Sequence, residues 1–538
     1  MITDAQILGE APLATEGLPC VATSLPIAAL TRAIMRNIPP HKLFLSNGGL
    51  FTVEIEEVLT ADGVLTRRPK LYEMTPRRFT TWVEQFMCFA KFGAGDTLES
   101  LSVQHADKVL ASDICREYAH RLRGVVPVRL PVWSTDPASG KRTIRLAPEG
   151  YDPENQIFTC NLLPYDESFT PAKDACIGAM ARLLGDFPWA DITDGSRTFA
   201  ASREVCCFIT YMVGQYCRLL MGRQPIVIFN ANQPGSGKTL LAAMGLAPMH
   251  GAPTIISAPK EENEINKTLF SALAGGANYA LLDDIPNLTS NYINQYGTAP
   301  SITGRLLGSN NMLQVENTMQ LIATGNGLLT TPDVERRTIM IDLFSPWEAT
   351  EKRHTQTLTM ASINRPRWRG EMLALLWHWV RSWVEAGMPA YYKGEQKASF
   401  EDYVRIAGNI AAHAGFLHAW DKRSTTGAGG DTGTAYVQLI IREAASLACE
   451  DWPENPGHNA FQYTVQELLS IAENLGVSDM VTSSRDKDRA RSLGLRLARF
   501  KGRYFTDKNG RCFEFGRRRD QDRTRYLITF FTADNPPR

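Results

Sequence analysis

The chain carries no excess of either charge: 57 Lys and Arg balance 57 Asp and Glu over 538 residues. Global charge therefore neither favours nor disfavours a nucleic-acid partner, and only local clustering can speak. No apolar run reaches the roughly 18–20 residues that cross a bilayer, so no membrane partner is expected. Met1-Ile2-Thr3-Asp4 has no basic segment leading into an apolar one, and no secretory signal is read there. The ten cysteines include no CxxC pair and no accompanying His cluster, which argues against zinc. Scattered thiols in a chain of this size fit a reducing cytoplasm, where they pack as small hydrophobes. No internal repeat is visible. At 44% apolar and 21% charged residues the composition is that of an ordinary globular protein. The length exceeds what one core accommodates, so several domains are expected.

What the chain does contain is Asn232-Gln233-Pro234-Gly235-Ser236-Gly237-Lys238-Thr239. It follows the apolar run Pro225–Phe229 and opens into a helical segment, Leu240–Met244. Strand, glycine-rich turn, Lys-Thr and helix form the P-loop arrangement. Loop N–H groups and a helix N-terminus face phosphate oxygens in such a turn. Lys238 then neutralises the β- and γ-phosphates of ATP, and the Thr239 hydroxyl holds Mg2+. One position departs from the usual pattern. Asn232 stands where the first glycine is expected, and Asn tolerates left-handed backbone better than most side chains.

Downstream, Tyr279-Ala280-Leu281-Leu282-Asp283-Asp284 reads as an apolar strand ending in two carboxylates. Asp283 is the expected Mg2+ ligand, directly or through water. Asp284 is the expected group that orients or deprotonates an attacking water. Met319–Thr324 is another apolar strand, ending at Gly325-Asn326, where Asn326 is expected to sense the γ-phosphate or the lytic water. Arg336 and Arg337 follow, only 98 and 99 residues after Lys238. Either is suited to stabilise charge on a transferred phosphate in a neighbouring subunit, and the sequence does not choose between them.

The remainder divides into candidate domains. Residues 1–20 are expected to be disordered, and 21–195 to form an N-terminal α+β domain with a helical collar. Within it, Phe44–Val53 reads as a hairpin turning at Asn47-Gly48, Arg77–Phe92 as a helix, and Val125–Trp133 as an edge strand. Residues 196–395 alternate strands and helices, as a mostly parallel α/β core does. A helix and a glycine-rich linker occupy 396–432, and a basic domain 433–538. Residues 485–538 hold sixteen Lys and Arg against seven Asp and Glu. Thr464–Asn474 and Asp488–Lys501 read as helices, the second with Leu493, Leu497 and Phe500 on one side. Arg503–Phe515 reads as a hairpin and Arg525–Phe531 as a further strand. Helix, helix, basic hairpin is the order of a winged helix. Arg489, Arg491, Arg496, Arg499, Lys501, Arg503, Lys508, Arg511, Arg517, Arg518 and Arg519 are its candidate DNA contacts.

Together the P-loop, the Asp pair, Thr324-Gly325-Asn326 and the arginine pair resemble a superfamily 3 helicase core of the AAA+ class. Arg121–Val126, Gly150-Tyr151-Asp152, Arg305–Gly308 and Ala407-Gly408-Asn409 extend the likeness to ATPases of prophages, phage satellites and integrative elements, relatives of pox-type primase-helicases. The resemblance implies an α/β P-loop fold, ATP and Mg2+ as ligands, and a ring of identical chains, usually a hexamer. It implies 3′-to-5′ translocation on DNA held in the central channel, and replication proteins such as a primase as partners. The family's hairpin before the sensor strand usually has a basic tip. Leu307–Met312 has no lysine, and Arg305 just before it is the candidate channel contact. No metal-dependent primase carboxylate pattern precedes the core. Three readings stay open: a DNA helicase or replication initiator of a mobile element, a regulatory or defence ATPase that binds DNA or a partner without unwinding, and a DNA-binding regulator with little hydrolysis.

Overall fold

In a computed structural model of the chain the described residues are 17–59, 65–91, 97–193, 198–231, 235–257, 262–285, 287–288, 291–305, 312–326, 328–330, 337–343, 358–392, 400–420, 432–450, 460–475, 478, 489–507, 511–520 and 523–531. The chain divides into two units, Met1–Pro164 and Tyr165–Arg538.

In the first unit Asn47 and Gly48 take φ values of 48° and 81°. That pair of left-handed residues matches the twist of a hairpin. It joins Phe44–Ser46 to Gly49–Leu59, and the second strand then pairs along Leu65–Glu73. Glu56 and Glu57 stand opposite Arg68 and Arg67 across that ladder, so its charges alternate in sign between strands. The helix expected over Arg77–Phe92 stops early. Pro76–Val83 is helical and capped by Thr75, whereas Cys88–Lys91 is a strand paired in parallel with Cys20–Ala22. A short apolar run fits a buried strand as well as a helix, and here Phe89 and Ala90 are buried in a strand. Cys20 opens its partner strand, so disorder does not reach the end of 1–20; residues 1–16 lie outside the described ones. The run Val125–Trp133 is two strands in separate sheets, Gly124–Val126 and Pro131–Thr135, with Pro127 at the break. Leu30, Ile34, Phe79, Trp82 and Phe89 form the core of this unit.

The second unit begins earlier than the boundary at 195 expected from the sequence. Trp189, fully buried, makes a bridge to Leu343 at the end of a core strand. Nothing in the local pattern around Trp189 signals a partner so far along the chain.

At the centre of this unit lies a five-stranded, wholly parallel sheet. Across it the order is Ile255–Ser257, Tyr279–Asp283, Gln320–Asn326, Ile226–Ala231, Thr338–Leu343. The strand Gln320–Asn326 is therefore inserted between the one that enters the glycine-rich turn and the one that ends in the Asp pair. Parallel strands finish at the same edge, so Ala231, Asp283 and Asn326 end side by side. The strands are near-continuous apolar runs because helices cover both faces. On one face, helix Arg203–Tyr216 meets helix Lys238–His250. The Tyr211 hydroxyl donates to Ala242 O at 2.9 Å, and its ring fills the place a side chain on Gly245 would need.

Residues 432–531 have a separate core of Ile440, Ala444, Leu468, Leu493, Leu497, Phe513, Phe515 and Ile528. Helix Thr432–Glu450 and strand Ala460–Tyr463, neither of them expected from the sequence, precede helices Val465–Asn474 and Arg489–Leu497. The sheet runs Ala460–Tyr463, Arg523–Phe530, Cys512–Asp520, Arg503–Thr506. The expected ladder between Arg503–Thr506 and Cys512–Phe515 is present, but the longer hairpin is the next one, Cys512–Asp520 with Arg523–Phe530. The glycine-rich linker falls largely on 421–431, outside the described residues. Among the described residues no helix is long and apolar enough to cross a membrane.

Candidate functional site

The turn after Ile226–Ala231 is built on two glycines, Gly235 and Gly237, with φ of 77° and 85°. Such backbone is open to glycine without strain. Gly237 also stands close against the Phe187 ring, where a β-carbon would lie 2.8 Å away. Helix Lys238–His250 starts immediately after it. Its first N–H groups and its positive pole therefore lie at the edge where the core strands end. Asn232, Gln233 and Pro234 lie outside the described residues. At the other end of this helix, Arg369 donates from Nε to Ala247 O at 2.9 Å and from Nη2 to Pro248 O at 3.5 Å. Its guanidinium occupies the negative pole of the helix. Burial lowers the Arg369 pKa to about 10.

Groups from three segments converge beside the turn. Thr239 Oγ1 donates to Asp283 Oδ1 at 2.7 Å. Lys238 Nζ lies 3.5 Å from Asp284 Oδ1, and Asn326 Nδ2 donates to the same oxygen at 3.2 Å. Lys238 is 8% exposed, while the Asp284 side chain is 69% exposed. A buried ammonium thus faces an acid that water reaches freely. Among the described residues, Ser236 Oγ and Asn326 Oδ1 are buried without a hydrogen-bond partner. Leaving such a group unpaired costs about 1–3 kcal/mol, so both are suited to a polar ligand.

Two neighbours of Asn326 carry parts that the sequence did not assign. The Thr324 hydroxyl donates to Asp283 Oδ1 at 2.6 Å and accepts the Asp284 N–H at 3.0 Å. Its carbonyl accepts the Ile285 N–H at 2.9 Å. Asp284 sits at φ 51°, left-handed for a residue with a side chain. A β-carbon on Gly325 would collide with Ile285 O and with Leu328. Glycine therefore lets the Asp turn cross the end of the inserted strand. A polar triplet closing an apolar strand, downstream of an Asp pair, is the signal that marked this contact.

Behind the site, Asn230 Nδ2 donates to Asp342 Oδ1 at 2.9 Å, and Asn230 Oδ1 accepts the Leu328 N–H at 2.9 Å. The Asp342 N–H donates to Glu204 Oε2 at 2.7 Å, and Glu204 pairs with Arg203 at 2.6 Å. Burial raises the Glu204 carboxyl, and the Arg203 guanidinium opposes that rise. This chain of bonds ties the segment after Asn326 to the last core strand and to helix Arg203–Tyr216.

Arg337 is not brought to Lys238. It precedes Thr338–Leu343, and its carbonyl accepts the N–H of Ile226 at the start of the P-loop strand, 3.1 Å away. That is the opposite edge of the parallel sheet, about 20 Å of strand from the glycine turn. Arg336 lies outside the described residues.

No family model matches the chain, and no curated protein matches it. The solved structures similar to it at low level include these two. One is titled SCCmec type IV Cch, active helicase; it shares 12% identity and a TM-score of 0.31, over 92% of this chain and 98% of that one. The other is titled the A form apo structure of the NrS-1 C-terminal region, with 12% identity and a TM-score of 0.31 over 84% of this chain and 99% of that one. Similarity this coarse assigns no residue, and the functional reading rests on the side chains themselves.

The candidate DNA contacts are dispersed, Arg305 before the inserted strand and the others over the basic domain 433–538. Arg305 ends strand Ser301–Arg305, which pairs with Met312–Glu316 in a hairpin just before the inserted strand; its tip, 306–311, lies outside the described residues. Arg489, Arg491 and Arg496 lie on helix Arg489–Leu497, with Arg499 in the turn after it. Leu493 and Leu497 of that helix are buried. Arg489 is 3.8 Å from Glu473. Lys501 and Arg511 are exposed, Arg503 opens a strand, and Lys508 lies outside the described residues. Arg517, Arg518 and Arg519 are exposed near the end of the long hairpin, with Arg518 directly opposite Arg525.

Proposed function

We propose that this chain is an ATPase of the superfamily 3 type within the AAA+ class, working on DNA as a ring of identical chains. The observation that carries the reading is the convergence of Lys238, Thr239, Asp283, Asp284 and Asn326 at one edge of a parallel sheet with an inserted central strand. Lys238 and the helix N-terminus bind the β- and γ-phosphates of ATP. Thr239 and Asp283, already hydrogen-bonded to each other, are the pair that holds Mg2+. The metal, when bound, offsets phosphate charge. Asp284 takes the proton of the attacking water, Asn326 orients it, and the products are ADP and inorganic phosphate. Arg336 or Arg337 acts on the nucleotide of a neighbouring copy, since Arg337 is remote from its own glycine turn.

The basic body is read as a winged helix that grips duplex or forked DNA. Replacing Arg517, Arg518 and Arg519 together by Ala is expected to weaken DNA binding for every sequence alike. It should also flatten the dependence of log affinity on log salt by about two to three units. Titrations of labelled duplex at several salt concentrations measure this. An unchanged slope removes these arginines from the interface.

The decisive experiment is ATP-dependent strand displacement on a forked duplex, with the native chain, Lys238→Ala and the Arg336→Ala/Arg337→Ala double variant. Displacement by the native chain alone supports a DNA helicase or initiator. Hydrolysis that DNA does not stimulate, with no displacement, overturns that assignment and favours a regulatory ATPase.

A further inference from the structure

We infer that Thr324 is the positioning residue that sets both carboxylates of the proposed site with a single hydroxyl. This role rests on the ATPase reading and adds a residue to it.

Proton count fixes the direction of both bonds. The Asp284 N–H has one hydrogen, and it points at Thr324 Oγ1 at 3.0 Å. Thr324 must accept that bond. Its own single hydroxyl proton is then free for Asp283 Oδ1, 2.6 Å away. No choice of rotor remains. Thr324 is fully buried, so water does not compete for either bond. A charge-assisted bond of this length is among the stronger ones a neutral side chain makes.

The two bonds have separate consequences. The one to Asp283 leaves Oδ1 shared between Thr324 and Thr239, which donates at 2.7 Å. The carboxylate is thus turned toward the Lys238-Thr239 end of the helix before any ligand arrives. The one from Asp284 N–H holds a residue at φ 51°, a conformation in which few residues other than glycine, Asn and Asp are found. The Thr324 carbonyl adds the Ile285 N–H at 2.9 Å, so two successive amides of the turn are pinned to one residue. Thr324 touches neither reacting atom. It acts through Asp283 and Asp284, and it sits on a neighbouring strand 40 residues away.

Thr324→Val preserves shape and β-branching, and Thr324→Ser preserves the hydroxyl. The valine variant is expected to bind ATP in the absence of Mg2+ as the native chain does. Its turnover should fall about tenfold or more, because small misplacements of reacting groups carry such penalties. The Mg2+ concentration for half-maximal hydrolysis should rise, and the serine variant should restore both quantities. A merely structural threonine would lower thermal stability in both variants without moving the Mg2+ dependence. If Thr324→Val hydrolyses with native turnover and native Mg2+ dependence while Lys238→Ala is inactive, the inference on Thr324 fails and the ATPase reading stands. If the native chain itself does not hydrolyse ATP, the ATPase reading fails first.

Discussion

Lys238→Ala is expected to reduce ATP hydrolysis by on the order of 10²–10³-fold, the loss typical when one preorganised electrostatic group is removed from a phosphoryl or acyl site. The lysine is 8% exposed and begins the helix whose positive pole lies at the glycine turn. Its charge acts in a poorly solvated setting, where a fixed ammonium is worth more than in water. Alanine is a strong helix former, so the helix start survives. Removing a buried charge also lifts its desolvation penalty. The variant should therefore melt within a few degrees of the native chain while releasing almost no phosphate. Phosphate release at saturating ATP, paired with a thermal melt, tests this. Hydrolysis within a few-fold of native would show that Lys238 is not at the reacting phosphates.

The second large effect concerns a residue with no functional group at all. Gly325→Ala should lower turnover by roughly 10²-fold, the scale attached to ~1 Å errors in placing reacting groups. The added methyl would collide with the backbone oxygen of Ile285 and with the Leu328 side chain. Leu328 can rotate, but the carbonyl belongs to the turn that carries Asp284, so the turn must move. Overpacking of this kind costs about 1–3 kcal/mol of stability as well. The control is Gly222→Ala, where nothing lies within 4 Å of the new carbon. Turnover and melting temperature of the two variants separate the steric effect from the general loss of a glycine. Native turnover in Gly325→Ala would mean that the Asp turn is not held where its carboxylates react.

How far the sequence carries depends on how local each signal is. The glycine turn is local. Gly235, Gly237 and Lys238 lie within four consecutive residues, and their strand and helix flank them directly. Asp283 and Asp284 are legible for the same reason, as acids closing an apolar strand. Thr324 and Gly325 stand in a recognisable motif, but their roles emerge only with the inserted strand seen beside the Asp turn. Those roles are defined by contacts 40 residues away. Cys88–Lys91 shows the opposite failure. An apolar run of that length suits helix or strand, and pairing with Cys20–Ala22 decides it. Trp189 gives no local hint of Leu343. The hairpin of Cys512–Asp520 and Arg523–Phe530 reads short in the sequence because its arginines hide the strand pattern, and alternation is hard to see where successive residues are basic.

The parallel sheet has one more consequence. Because strands begin at one edge and end at the other, the glycine turn and Arg337 terminate opposite ends of adjacent strands in the same molecule. On the proposed reading, a single chain holds one half of each of two reaction centres and the whole of none. Specific activity then becomes a function of how many chains share a tube. On that same reading, dilution is expected to lower ATP hydrolysis without unfolding the chain.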